Sequence, residues 1–63
     1  MNSIWVVLVT FSNKQSNVSQ ESYRTYTEAL AEMKKKNIQQ IDDYVFYDIE
    51  NEIKYELKNV YIK

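Results

Sequence analysis

The chain of 63 residues has no Gly, His, Cys or Pro, and the absences narrow what it can do. Without His there is no side chain whose unperturbed pKa lies near neutrality for general-base work. Without both His and Cys, a structural zinc site loses its usual ligands. A Cys nucleophile and any Ser-His pairing are excluded outright. Glycine is the residue that phosphate-cradling loops and dinucleotide fingerprints place where backbone must approach a ligand closely, and none is available. Lys, Tyr, Ser and carboxylates remain, but so short a chain seldom encloses a pocket deep enough to shift their pKa values. The expectation is a protein that is not an enzyme, with no catalytic residue, no metal site and no cofactor.

Length sets further bounds. One domain spanning residues 1–63 is expected, and a chain of this size buries only about 60% of the surface its unfolded form exposes. Disulfides and zinc cannot make up that deficit, which favours self-association or docking on a larger partner. The longest apolar run, Ile4 to Val9, has six residues, whereas a membrane span needs about 20. Met1-Asn2-Ser3 carries no Lys or Arg ahead of that run, so it does not read as a signal peptide. A soluble, cytoplasmic protein with no membrane partner is expected.

What the chain does have is strand-forming sequence around one helix. Residues 4–11 are β-branched and aromatic, with Ile4, Val6, Leu8 and Thr10 on one face and Trp5, Val7, Val9 and Phe11 on the other. Both faces are apolar, yet one helix can cover only one face of a small sheet. Trp5 and its neighbours could lie over side chains at a curled end of the sheet; the reading preferred is that Trp5, Val7, Val9 and Phe11 form a dimer or partner interface, because an exposed apolar patch of this kind marks an interaction site. Ser12 to Asn17 reads as a polar loop. Val18 to Arg24 reads either as a second strand or as a wide loop, since Ser-Gln-Glu-Ser has poor strand propensity.

Thr25-Tyr26-Thr27-Glu28 fits a capping box, and strong helix formers follow through Lys36. Tyr26, Ala29, Leu30, Met33 and Asn37 share a stripe that reads as core, with Asn37 ending the helix in the left-handed conformation. Lys34-Lys35-Lys36 complements the helix dipole, and Glu32 is spaced to pair with Lys36. After a connection through Ile38 and Ile41, Tyr44 to Ile49 and Ile53 to Ile62 read as a hairpin, with Asn51 as the residue that tolerates positive φ. A bulge near Lys58 and Asn59 would keep Val60 and Ile62 on the Ile53 face; a continuous register would turn them away from it. The fold class that results is α+β: a small antiparallel sheet in the order ββαββ, one helix packed on one face, assembled as a homodimer.

Eight basic and nine acidic residues leave a net charge of −1, which offers little attraction for nucleic acid. The charge is unevenly placed, because Asp42, Asp43, Asp48, Glu50, Glu52 and Glu56 stand against Lys54 alone between positions 42 and 56. A solvated face is one reading of that run. A recognition surface is the other, in which carboxylates interleaved with tyrosine engage a basic groove on another protein. On that reading Tyr47, Asp48, Glu50, Glu52, Tyr55 and Glu56 bind the partner. The alternation of Asp48, Glu50 and Glu52 suggests calcium only superficially, as the sharp-turn Gly and a bidentate acid are missing. Six Tyr, two Phe and one Trp are too many for so small a core, and Tyr47, Tyr55 and Tyr61 are the candidates for exposure.

The Lys/Asn/Ile/Tyr bias, the length and the junction Tyr23-Arg24-Thr25-Tyr26-Thr27-Glu28-Ala29-Leu30 resemble, in general appearance, the short proteins encoded by phages of low-GC bacteria. Among these are anti-defence inhibitors of the anti-CRISPR and anti-Hachiman types. The resemblance implies a class of function: binding a host immune protein in the bacterial cytoplasm and blocking it by occupancy. The alternative is a small nucleic-acid-binding accessory protein using Arg24, Lys34, Lys35 and Lys36 with exposed Tyr.

Overall fold

The computed structural model of the protein describes residues 2–62. Five strands and one helix follow one another as β1 (Asn2–Thr10), β2 (Ser16–Tyr23), α1 (Tyr26–Lys35), β3 (Gln39–Asp42), β4 (Val45–Asp48) and β5 (Ile53–Ile62). The order is thus ββαβββ, one strand more than the ββαββ expected, within the same α+β class. The extra strand β3 lies where a plain connection was expected. Its side chains are all exposed, so no apolar alternation marks it, and it exists because its backbone pairs with β4.

The strands form one sheet in the order β2-β1-β5-β4-β3, with every recorded pair antiparallel. β1 is an interior strand, with its backbone paired to β2 on one side and to β5, the middle strand, on the other. It pairs with β5 without interruption from Asn2 opposite Ile62 to Thr10 opposite Lys54. The C-terminal strand therefore has no bulge, and Val60 and Ile62 lie on the face opposite Ile53, Tyr55 and Leu57.

The open choice for residues 18–24 resolves as a strand with a break in it. β2 runs from Ser16 to Tyr23, but its register against β1 shifts between the pairs Val6–Ser22 and Leu8–Val18. The poor strand formers Ser19, Gln20 and Glu21 fall in that irregular stretch.

The helix starts where the capping box places it, with Thr25 Oγ1 accepting a hydrogen bond from the Glu28 amide at 3.1 Å. Asn37 follows the cap residue Lys36 at φ 57°, the left-handed stop expected of it. Glu32 pairs with Lys35 at 3.4 Å rather than with Lys36, whose ammonium lies 5.8 Å from the centre of the Tyr55 ring.

Because α1 leaves one edge of the sheet at β2 and enters the other at β3, it must cross a single face. That face carries Val7 of β1, Leu57 of β5 and Phe46 of β4, which close with Ala29 and Met33 of the helix into the core. Trp5, Val9, Tyr23, Tyr26, Leu30, Ile38 and Tyr55 pack around it. Among the described residues no helix is long and apolar enough to cross a membrane.

Candidate interaction surfaces

The covered face settles where the first strand's side chains go. Trp5, Val7 and Val9 lie beneath the helix: Val7 is 2% exposed, and Trp5 and Val9 pack against the core. Trp5 meets Tyr26 edge-on with ring centroids 5.5 Å apart and lies parallel to Tyr44 at 5.9 Å. This corrects their assignment to a dimer interface. The helix takes the odd-numbered face, and the uncovered one belongs to Ile4, Val6 and Leu8. Phe11 stands apart from both, 38% exposed at the tip of the β1–β2 hairpin. There it borders an open hollow with Thr10, Ser12, Tyr47, Glu52 and Lys54.

The acidic residues separate along β4. Asp42 and Asp43 lie at the β3–β4 turn, while Asp48, Glu50 and Glu52 lie at the β4–β5 turn beyond the other end of the strand. Of the six residues expected to bind a partner, Tyr47, Asp48 and Glu50 line one open cleft of about 370 Å³. Glu52 is exposed in the turn that forms its edge. Tyr55 shares the helix side of the sheet with Asp48, whereas Tyr47 and Glu56 lie on the other face. Successive strand residues point to opposite faces, so Tyr55 is half-buried on the helix side, whereas Glu56 is on the other and pairs with Lys58 at 3.0 Å.

The cleft's second wall was not legible beforehand. Lys36, Asn37 and Ile38 supply it from the helix end, brought there by the left-handed turn at Asn37. Asp48 is fixed by Asn51, whose side-chain amide donates to one carboxylate oxygen at 2.8 Å and whose backbone N–H donates to the other at 3.3 Å. The Asn51 side-chain hydrogen bond is the main cause that draws the Asp48 carboxyl below its ordinary range, keeping the charge in place. Asn51 is thereby committed to Asp48, and Glu52, not Asn51, takes the positive φ of 56°.

The Tyr55 hydroxyl is pushed up in pKa by burial and then by the nearby Asp48 charge. Of the three tyrosines named for exposure, Tyr61 is 68% exposed, while Tyr47 and Tyr55 are half-buried. Tyr44, not among them, is 48% exposed.

Arg24 precedes the helix and Lys34 to Lys36 end it. A helix of ten residues spans about 15 Å, so these four cations form no single patch.

Comparison with protein-family models, with curated proteins and with solved structures finds no match.

Proposed function

We propose that the protein is a small non-catalytic inhibitor that binds a bacterial host protein and blocks it by occupancy. It would act as a homodimer in the host cytoplasm. The observation that supports this reading best is the gathering of Tyr47, Asp48 and Glu50 around one open cleft, with Glu52 beside it. A carboxylate held charged by Asn51, with the Tyr55 ring near enough to feel that charge, suits a lysine or arginine presented by another protein. The resemblance to phage anti-defence proteins adds the kind of host protein meant, a component of bacterial immunity.

The test is recovery of binding proteins from bacterial lysate on the tagged chain, with and without nuclease, beside the charge-reversed Asp48→Lys/Glu52→Lys variant. One host protein retained by the wild type under both conditions and lost by the variant is the expected result. Retention by the folded variant at low salt would remove the cleft as the contact. Recovery that disappears with nuclease would move the assignment to nucleic-acid binding.

A further inference from the structure

We infer that the hollow between β2 and the end of α1 is a binding site for a free aliphatic α-amino acid of leucine size. The site is separate from the cleft beside Asp48, although Lys36 borders both, and the inference goes beyond the inhibitor reading.

A break in β2 makes the room. Val6 pairs with Ser22 and Leu8 with Val18, so three residues, Ser19 to Glu21, stand opposite Val7 alone. The alternation survives the insertion and leaves Ser19 and Glu21 both on the helix side, while the extra length bends the strand away from its neighbour. The Ser19 hydroxyl accepts a hydrogen bond from the Glu21 amide at 3.2 Å, which holds the bend. Behind it lies a hollow of about 130 Å³ with Val7, Val9 and Met33 as its apolar floor. An apolar cavity of about 150 Å³ holds a benzene molecule, so this one has room for a single aliphatic side chain.

The rim supplies the charges. Glu21 reaches it from β2 and Lys36 from the helix end, and Tyr23 and Tyr55 complete the lining. Each charge is kept on its own side. The Tyr23 hydroxyl donates to Glu21 Oε2 at 2.9 Å, which leaves the other carboxylate oxygen for a ligand, and the Lys36 ammonium lies 5.8 Å from the centre of the Tyr55 ring. The two do not pair with each other: the ion pairs among the described residues are Glu32 with Lys35 and Glu56 with Lys58.

A carboxylate and an ammonium over one small apolar hollow match a ligand that carries an ammonium and a carboxylate beside its apolar side chain. The ligand's ammonium meets Glu21, its carboxylate meets Lys36, and its side chain fills the space above Val7, Val9 and Met33. A host-protein side chain would bring the apolar part without the charges, and a chain terminus would bring only one of them. The free amino acid uses both.

The experiment is an amide NMR titration of the full chain with L-leucine, isocaproate, leucinamide and glycine; the last three lack the ammonium, the carboxylate and the side chain respectively. L-leucine should shift the amides of Val7, Val9 and Glu21 in a saturable way and leave those of Glu50 and Asn51 in place. Isocaproate and leucinamide should each bind about tenfold more weakly, the loss expected of one hydrogen bond to a charged group, and glycine should not bind. Glu21→Gln and Lys36→Gln, both at exposed positions, should each weaken leucine about tenfold with an unchanged circular dichroism spectrum. Glu21→Gln should also erase the preference for leucine over isocaproate. No saturable shift with leucine up to its solubility limit would overturn the site. Isocaproate or leucinamide binding as tightly as leucine, or a folded Glu21→Gln chain with wild-type affinity, would overturn the assignment to an amino acid.

Discussion

Glu52 and Lys14 sit in the left-handed region, at φ 56° and 69°, because a chain with no glycine must close its hairpins with what it has. Lys14 follows a tight turn in which its N–H bonds to the Phe11 carbonyl at 2.9 Å, a place where glycine is common in hairpins. Left-handed geometry costs a residue with a Cβ about 1–2 kcal/mol. Glu52→Gly relieves that and loses some backbone entropy in exchange, roughly 0.5–1 kcal/mol. The expected outcome is a net gain of about 0.5–1 kcal/mol, read from the urea midpoint; a loss of stability would mean that the Glu52 side chain holds the turn by some other contact. Tyr23 gives a second prediction at this scale. Burial first, then its hydrogen bond to Glu21, raise its pKa from 10.0 to about 12. A raised pKa means the protonated hydroxyl is favoured in the folded state, so its contribution is whole below pH 10 and disappears as pH rises toward 12. Tyr23→Phe should flatten the fall in stability across that window, checked by denaturation at stepped alkaline pH.

The helix was the element most fully written in the sequence, since its cap, its core stripe and its left-handed stop are all local signals. Thr25 Oγ1 receives the Glu28 amide, and Thr25→Ala should cost about 1 kcal/mol. A loss far smaller than that in thermal unfolding would show that packing of Ala29 and Met33, rather than the cap, sets where the helix begins. β3 stands at the opposite extreme. Gln39, Gln40, Ile41 and Asp42 offer one apolar residue and no alternation, and they become a strand because β4 presents a free row of amides and carbonyls beside them. β2 lies between, its strand signal broken by the same polar residues that break its register.

For the molecule as a whole, five buried side chains, Val7, Ala29, Met33, Phe46 and Leu57, hold two layers together. Phe46 is the largest of them at 1% exposed, and it lies on the four-residue β4, which carries the cleft-lining Tyr47 and Asp48. Phe46→Ala should cost about 3–5 kcal/mol, much of what a domain this small has in reserve. The expected outcome is a largely unfolded chain at 37 °C by circular dichroism. A cooperative transition close to that of the wild type would mean that association supplies the stability ascribed to this core.

The sequence by itself determined the α+β class, the helix and its ends, the hairpin of β4 and β5, and the gathering of acid and tyrosine around positions 47–52, because each depends on neighbours within a few residues. It could not say which face of β1 would be covered. Ile4, Val6 and Leu8 are as apolar as Trp5, Val7 and Val9, so alternation gives two equivalent answers. The choice was made by the helix, which spans from the β2 edge to the β3 edge and, in crossing, buries the odd-numbered face. For the same reason Tyr55 and Glu56, adjacent in the chain, ended on opposite sides of the sheet, and Lys36 to Ile38 came to wall the cleft beside Asp48. Those are contacts between residues far apart in sequence, and only the tertiary structure decides them.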